Sequence, residues 1–295
     1  MIEIKNVTEK FDKLTALKEV SATIEEGHVF GLIGTNGAGK STLMRSICGV
    51  YRPDEGEVLV DGEPVYENPA AKAKLFYISD DQYFFPNGTP MDMVRYYQTI
   101  YPQFHTERFA SLMEILKLDS KRKINTFSKG MRKQLSVMLG ISAGTKYLLC
   151  DETFDGLDPV IRQAIKRLFI QEIEENGLTP IIASHNLREL EDICDHVGMM
   201  HAGRMLLERS LAELQENIVK VQLVTDQPLP EDLAVLHAST LGRVQTLIIR
   251  GEPAQTAERL AGTKPLLCDL LPLSLEEIFM YELGGSGYDV KKLML

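Results

Sequence analysis

The chain has 295 residues, of which 44% are hydrophobic and 25% charged, the balance of a globular protein with a sizeable core. Its formal net charge of -10 disfavours broad binding to nucleic-acid phosphates, and no run approaches the roughly 20 apolar residues that cross a bilayer. The four cysteines are widely scattered, which argues against a disulfide or zinc framework.

The first part of the chain has the pattern of strands around a glycine-rich loop. Strand-like runs lie at 2–7, 20–24 and 57–60. A buried apolar strand is predicted over 29–33; it leads into the segment GTNGAGKST, and a helix is predicted over 42–50. Strand, glycine loop and helix in this order form the setting of a phosphate-binding P-loop.

The segment GTNGAGKST matches G-x-x-x-x-G-K-[ST] at every fixed position. Its glycines let successive backbone N–H groups turn toward an anion, and the following helix adds the partial positive charge of its N-terminus. Lys40 is then expected to reach the β- and γ-phosphates of ATP, and the Ser41 hydroxyl to bind Mg²⁺. A chance glycine-rich turn is the plain alternative, and the apolar strand before the loop argues against it.

The middle and later parts of the chain alternate between helix and strand. A helical stretch is predicted over about 86–139, and apolar strands follow over 147–150, 179–183 and 197–201, with helices between them. Strand–helix alternation around a P-loop predicts an α/β domain with a largely parallel central sheet. The helical stretch is then an inserted subdomain.

The segment YLLCDET adds a second element of the same site. Its apolar strand delivers Asp151 and Glu152 to the carboxyl end, where α/β sheets place their chemistry. Asp151 suits the Mg²⁺ shell, and Glu152 is placed to polarise an attacking water as general base. The alternative is that Asp151 and Glu152 belong to a solvated turn without a catalytic role. The P-loop earlier in the chain makes this alternative the weaker interpretation.

The last part of the chain predicts a small α+β accessory domain over 216–295. SLAE from Ser210 and SLEE from Ser274 are capping-box patterns that mark helix starts. Strands are predicted over 218–224 and 244–250, separated by a turn-rich segment.

Three further motifs occur in a fixed order: FSKGMRKQL, then FDGLDP, then ASHN. With the P-loop and YLLCDET, they make residues 1–215 resemble the nucleotide-binding subunit of ABC transporters, in the form of bacterial exporters with a separate permease chain. The resemblance implies a P-loop NTPase of the ABC ATPase type, with a RecA-like core sheet, an antiparallel β-subdomain and a helical subdomain. It also implies an ATPase that works as a homodimer, with two ATP molecules held between the copies.

The resemblance carries roles to individual positions. It implies that Lys40, Glu152 and His185 are catalytic, with His185 contacting the γ-phosphate, and that Ser41 and Asp151 hold Mg²⁺. Ser128 and Gly130 match the signature loop that caps the phosphate held by the other copy, and Asp158 matches a loop that signals across the dimer. The implied nucleotide-binding residues are Phe11, which stacks on adenine, Gly34, Asn36, Gly37, Gly39, Lys40, Ser41, Thr42, Ser128, Gly130 and Asp158.

Three features depart from the family pattern or leave it open. The stacking aromatic is Phe11 where Tyr is commoner, and a phenyl ring still offers a face for stacking. The signature has Lys129 and Met131 where many members have Gly and Gln, a form that looks like that of bacterial exporter ATPases. The family also has a glutamine that touches Mg²⁺ and moves with the permease. Alignment on the downstream Phe-Pro pair favours Asp80 for this role, whereas residue type favours Gln82.

The segment YFFP brings three aromatic residues together beside that loop. Burial explains some of them, but three adjacent side chains cannot all face one way. We therefore expect Tyr83, Phe84 and Phe85 to contribute to a groove for a cytoplasmic helix of the permease, with Tyr96 and Tyr97 extending it.

The function expected from the sequence is ATP hydrolysis that drives export through a separate membrane permease. The ending LPLSLEEIFMYEL looks like that of exporters of antimicrobial or membrane-active peptides, which favours peptide or toxin cargo. The expected location is the cytoplasmic face of the membrane, through the permease, with no nucleic-acid partner. The alternatives are an ABC ATPase outside transport and an ATP-dependent regulatory module with little turnover.

Overall fold

The computed structural model describes residues 1–284 apart from 192, 217, 231 and 272. It divides into two compact units, the first spanning Met1–Glu208 and the second beginning at Arg209. The sequence placed this boundary between residues 215 and 216. Residues 285–295 of the accessory domain lie outside the described residues.

The first unit contains a run of strands, a helical region and a further run of strands and helices. In chain order these elements are β1 Ile2–Phe11, β2 Leu14–Ile24, β3 Phe30–Ile33, α1 Lys40–Ile47, β4 Glu55–Val60, β5 Glu63–Pro64, α2 Pro69–Lys72, β6 Leu75–Ile78, α3 Pro90–Ile100, α4 Thr106–Ile115, a 3-10 turn Ile124–Thr126, α5 Lys129–Ser142, β7 Tyr147–Asp151, α6 Pro159–Asn176, β8 Thr179–Ser184, α7 Leu187–Glu191, β9 His196–His201 and β10 Arg204–Ser210.

The first strands form an antiparallel sheet with the order β2-β1-β4-β5. Ile2 and Ile4 of β1 are buried, as are Val58 and Val60 opposite them on β4, so apolar residues on facing strands share one side. This side packs into the same core cluster as Leu32 of β3. The sheet therefore covers one side of the strand that leads to the glycine loop.

The central sheet has six strands in the order β10-β9-β3-β8-β7-β6. Pairing is parallel between β3 and β8, β3 and β9, β7 and β8, and β6 and β7. The strands β3, β7 and β8 are buried along their whole length, as expected for parallel strands covered on both faces. Their carboxyl ends meet at one edge, so the segments that follow each of them converge there.

The helical region predicted over about 86–139 contains α3, α4 and α5, between β6 and β7. The start of α3 is fixed by a capping box, in which Thr89 and Asp92 satisfy each other's backbone N–H groups. Helix α5 begins directly after its N-cap residue Ser128, whose hydroxyl accepts the Met131 N–H. These caps explain why the helices begin where they do.

The second unit is α+β. Its elements are α8 Leu211–Glu216, β11 Ile218–Val224, β12 Ala234–Leu241, β13 Val244–Arg250, α9 Pro253–Ala261, β14 Leu267–Leu271 and α10 Leu275–Gly284, and the antiparallel strand order is β12-β13-β11-β14. Both predicted helix starts are confirmed, because the hydroxyls of Ser210 and Ser274 accept the N–H groups of Glu213 and Glu277. Strands β12 and β14 were not predicted.

Within the described residues, no helix is both long enough and apolar enough to span a lipid bilayer.

Candidate functional site

The glycine-rich loop joins the carboxyl end of β3 to the first turn of α1. Gly39 has a φ of 104°, and a Cβ there would lie 2.8 Å from the Ala16 carbonyl oxygen. A Cβ on Gly34 would lie 2.5 Å from the carbonyl oxygen of Met200. Only glycine fits these two positions, which fixes a loop whose backbone closes around the start of α1.

Lys40 is the first residue of α1, and its side chain folds back over the loop. The Nζ atom donates to the Gly34 carbonyl at 2.6 Å and to the Thr35 carbonyl at 3.3 Å. It also lies 3.3 Å from Oε1 of Glu152, and its side chain is only 6% exposed. The ammonium group is therefore held at the mouth of the loop by partners that a bound phosphate could replace.

Glu152 follows β7 directly and contacts two of the other predicted catalytic residues. Its Oε2 atom lies 2.8 Å from Nδ1 of His185, which follows β8, while Oε1 faces Lys40. Glu152 itself adopts a left-handed backbone conformation with φ of 49°. Lys40, Glu152 and His185, far apart in sequence, thus form one chain of contacts.

Asp151, the last residue of β7, is 1% exposed. Its Oδ2 accepts the Tyr77 hydroxyl at 2.9 Å, whereas Oδ1 is buried with no hydrogen-bond partner among the described residues. Burial raises the pKa of Asp151, and the neighbouring hydroxyls of Ser41 and Tyr77 oppose the rise. A buried carboxylate oxygen without a partner, beside a serine hydroxyl, is a donor set that fits Mg²⁺. Ser41 and Asp151 together are the residues that could hold this ion.

The loop opens into a cavity of about 620 Å³. Its walls combine the loop, the start of β2, the ends of β7 and β8 and the turn after β9. The lining residues are Leu14, Thr15, Ala16, Lys18, Asn36, Gly37, Ala38, Gly39, Lys40, Ser41, Thr42, Asp80, Glu152, Asp155, His185, Ala202 and Gly203. This cavity brings together most of the predicted phosphate-binding and catalytic residues.

Seven of the predicted site residues do not line the cavity: Phe11, Gly34, Gln82, Ser128, Gly130, Asp151 and Asp158. Phe11 is 39% exposed and packs edge-to-face on Tyr51, with ring centroids 5.2 Å apart. Ser128 and Gly130 lie at the start of α5, and Ser128 is exposed. Asp158 caps α6, since its Oδ1 accepts the N–H groups of the second and third helical residues, each at 3.0 Å. This helix cap is by itself a sufficient local reason for the aspartate in the Asp-Pro turn.

The two candidates for the coupling position lie in different places. Asp80 lines the phosphate cavity, with an exposed carboxylate 3.9 Å from Nζ of Lys133. Gln82 lines a separate cavity of about 230 Å³, and its Nε2 is buried without a hydrogen-bond partner among the described residues. The geometry favours Asp80 over Gln82 at the phosphate site.

Lys133 is a site residue that sequence reasoning missed. Its ammonium is 1% exposed and donates to the carbonyl oxygens of Glu152 and Asp155, at 2.5 and 2.8 Å. Burial lowers the pKa of Lys133, while nearby acidic groups, including Asp155 and Asp80, oppose the fall. Lys133 thus joins α5, which carries the FSKGM segment, to the turn that positions Glu152. The sequence signal for this role was a lysine placed among the apolar residues on the buried side of α5.

The aromatic segment borders the smaller cavity. Tyr83 is 72% exposed and Tyr96 is 42% exposed, and both line it together with Phe84 and Tyr97. Phe85 bridges them, with its ring centroid 6.2 Å from that of Tyr83 and 5.1 Å from that of Tyr96. The result is an exposed, edge-to-face aromatic cluster beside the loop that carries Asp80.

Comparison with known proteins gives a consistent set of similarities. A family model described as ABC transporter matches residues 17–155. The ABC transporter ATP-binding protein YtrB of Bacillus subtilis (strain 168) is 31% identical over 97% of this chain and 99% of its own length. The bacitracin transport ATP-binding protein BcrA of Enterococcus faecalis is 29% identical over 73% of this chain and 71% of its own length. A solved dimer of the ATP-binding cassette MJ0796, in a post-hydrolysis state with ADP and Pi, has a TM-score of 0.65 at 22% identity, covering 72% of this chain and 99% of that one.

Proposed function

Because the chain belongs to the ATP-binding proteins of ABC transporters, we propose that it is an exporter ATPase that acts as a dimer on a separate permease. In this proposal two copies hold two ATP molecules, and hydrolysis resets the dimer for the next transport step. The observation that carries the proposal is the chain of contacts from Lys40 through Glu152 to His185 at the mouth of one loop cavity.

The phosphates bind where backbone N–H groups of the loop and the N-terminus of α1 converge. A γ-phosphate oxygen competes with Glu152 for the ammonium of Lys40, because both are anionic acceptors for the same donor. His185 can donate to the same phosphate group. The exchange leaves the Glu152 carboxylate free to accept a proton from water.

Ser41 and the unpartnered Oδ1 of Asp151 are the expected Mg²⁺ ligands, and Asp80 reaches the same cavity from the coupling loop. An ion held there would supply positive charge that offsets the charge of the phosphates. The Tyr77 hydroxyl holds the other oxygen of Asp151 in place. Asp151 therefore has one oxygen fixed by the protein and one available to the ion.

Glu152 is the expected general base. It sits at the carboxyl end of β7, fixed by its own N–H bond to the Ala183 carbonyl at 3.0 Å and by Lys133 on its carbonyl oxygen. General-base assistance contributes about two to four orders of magnitude to the rate. The fixed backbone matters because the carboxylate has to meet a water aligned with the bond that breaks.

The second copy is needed because Ser128 and Gly130 do not reach the cavity of their own chain. Ser128 is exposed at the N-terminus of α5, where its backbone and hydroxyl can face an anion held by another copy. In the proposed dimer each ATP lies between Lys40 of one copy and Ser128 of the other. Asp158, at the start of α6, follows Glu152 closely enough in sequence to relay the state of one site to the dimer interface.

The permease is proposed to dock on the aromatic cluster. Tyr83 and Tyr96 expose apolar rings with a polar tip, and a cavity opens between them and Phe84. Aromatic side chains of this kind are the usual anchors for an amphipathic helix laid in a groove. Tyr83 follows Asp80 by three residues in the chain, and Asp80 lines the phosphate cavity, so this segment is the proposed route of coupling between permease and nucleotide.

Peptide or other toxic membrane-active cargo is the favoured substrate class. One relative is named for bacitracin transport, and the resemblance of the carboxyl-terminal segment to peptide exporters points the same way. Cargo meets the permease and not this chain, so the test is the permease complex in vesicles. Stimulation of ATP hydrolysis by bacitracin-like peptides, and not by amino acids, supports the proposal; the reverse pattern refutes it.

The experiment that tests the core of the proposal is Glu152→Gln. The change removes the general base while leaving a hydrogen-bonding side chain of the same size. We expect turnover to fall about 100-fold or more, with ATP retained and a stable dimer on size-exclusion chromatography in Mg-ATP. Glu174→Gln, an exposed change on α6, is the matched control. Normal turnover of Glu152→Gln contradicts the assignment, and lack of turnover in the wild-type protein favours the regulatory alternative.

A further inference from the structure

A second cluster of ionisable side chains lies at the edge of the central sheet away from the phosphate loop. His28 precedes β3 by two residues, and Asp195 and His196 lie at the start of β9. The two strands are neighbours, with Phe30 of β3 opposite His196. The loop site uses the carboxyl end of β3, so this cluster occupies the amino end and takes no part in phosphate binding.

The distances within the cluster match those between ligands of one metal ion. Nδ1 of His28 lies 3.0 Å from Oδ2 of Asp195, and Nδ1 of His196 lies 3.2 Å from Oδ1. All three ligand atoms lie within 4.8 Å of one another. Ligands about 2.0–2.1 Å from a tetrahedral zinc ion are about 3.4 Å apart. The two histidine–aspartate distances therefore need to lengthen only slightly, and all three residues already lie close enough for small side-chain rotations to bring them around one ion.

The backbone holds this arrangement in place. Oδ1 of Asp195 accepts the N–H of Val29 at 2.9 Å, and the Val29 carbonyl accepts the N–H groups of Asp195 and His196. The imidazole rings of His28 and His196 pack against each other, with centroids 4.4 Å apart at 63°. A site whose ligands are already fixed loses little conformational freedom when an ion binds.

The charge of the surroundings also favours a cation. Asp195 supplies one negative charge, and the Glu208 carboxylate, which accepts the Thr23 N–H at 3.0 Å, interacts electrostatically with His196. With neutral imidazoles, the local charge is negative. A divalent ion compensates it and is bound by the Nδ1 lone pairs of the imidazole tautomers that carry their proton on Nε2.

We propose that His28, Asp195 and His196 bind one divalent transition-metal ion, with Zn²⁺ as the best match. Two imidazoles and one carboxylate form a borderline nitrogen and oxygen set, which suits Zn²⁺ and disfavours Mg²⁺ and Ca²⁺. All three side chains are partly exposed, which leaves the fourth position for water. Among the described residues, no other group of three His, Cys, Asp or Glu side chains has this spacing. The ion joins the segment before β3 to the start of β9.

The test is titration of the full-length protein with Co²⁺, whose visible absorption reports tetrahedral coordination and whose ligands are those of Zn²⁺. We expect one equivalent of Co²⁺ to bind with the strong visible absorption bands of a roughly tetrahedral site, and Zn²⁺ to displace it. His28→Asn and His196→Asn each remove one ligand. We expect each to weaken binding by about 100-fold, the upper end of what loss of a supporting group causes.

Two controls separate this site from others. His105→Asn removes an exposed histidine elsewhere in the same unit, and His185→Asn removes the imidazole beside Glu152 in the phosphate cavity; both should keep the bands. Zn²⁺ should raise the melting temperature of the wild-type protein and of His105→Asn, and leave that of His28→Asn unchanged. No tetrahedral bands, equal bands in all variants, or bands lost only in His185→Asn would each overturn the proposal.

Discussion

Replacing Lys133 by Met tests how the catalytic turn is held. The substitution keeps the length and apolar character of the side chain and removes the ammonium that donates to the carbonyls of Glu152 and Asp155. Hydrogen bonds from a charged donor contribute about 1.5–3 kcal/mol each, and part of this is offset by the cost of burying the ammonium. The net loss of stability expected for the two bonds is about 2–4 kcal/mol.

The effect on activity follows from which atoms Lys133 holds. Both acceptors belong to the turn that carries the proposed base, whereas the phosphate loop and Lys40 make no hydrogen bond to Lys133 among the described contacts. We therefore expect kcat for ATP hydrolysis to fall about 10- to 100-fold, since small displacements of a catalytic group are costly. KM for ATP should stay near that of the wild-type protein. The assays are steady-state ATPase kinetics and thermal unfolding.

Two further variants separate the effect of the buried ammonium of Lys133 from that of a lysine in general. Lys129→Met removes a neighbouring lysine on the same helix, 72% exposed and 3.8 Å from Asp155, and should change stability by less than about 0.5 kcal/mol. Lys133→Arg keeps the charged donors and should recover part of kcat. Equal stability and rate for Lys133→Met and Lys129→Met, or a raised KM with kcat preserved, would contradict this role of Lys133.

Three further predictions concern the phosphate cavity and its coupling. Burial raises the pKa of Asp151 above its unfolded value, so ionisation of this carboxyl destabilises the folded state as pH rises through the folded pKa. Without nucleotide, Asp151→Asn should therefore have a higher melting temperature than the wild-type protein at pH 7, and the difference should close toward pH 3.8. The same variant should no longer be stabilised by Mg-ATP. Asp80→Ala should slow ATP hydrolysis while Gln82→Ala leaves the basal rate unchanged, because only Asp80 lines the cavity; the opposite ranking in a turnover assay would reassign the coupling position. Phe84→Asp should abolish permease-stimulated hydrolysis at normal basal rate, and full co-purification and stimulation would exclude the aromatic groove.

The parts of the fold that sequence predicted are those encoded locally. The glycine loop, the strand before it and the YLLCDET strand each carry their signal within about ten residues, so their place in the sheet follows from the α/β pattern. Strand bounds were less accurate: β1 continues to Phe11 and β2 begins at Leu14, because a long antiparallel hairpin extends past the apolar residues that mark its core. Helix α1 begins at Lys40, inside the predicted loop.

What sequence missed depends on contacts between distant segments. Strand β12 is exposed along its whole length, so it has no alternation of buried and exposed residues to reveal it. Lys133 lies on the buried side of α5, but nothing in the sequence around it indicates that its ammonium binds the carbonyls of the turn after β7. His28 and Asp195 come together only because β3 and β9 pair in parallel. Such juxtapositions follow from topology and not from spacing along the chain.

The most direct test of the two-copy site mixes two inactive variants. Lys40→Ala and Ser128→Arg each damage both sites of a homodimer, but a mixed dimer has one site with Lys40 and Ser128 both intact. An equal mixture, of which half the dimers are mixed, should therefore recover about a quarter of wild-type ATP turnover. A mixture as inactive as its two components would contradict an ATP held between Lys40 of one copy and Ser128 of the other.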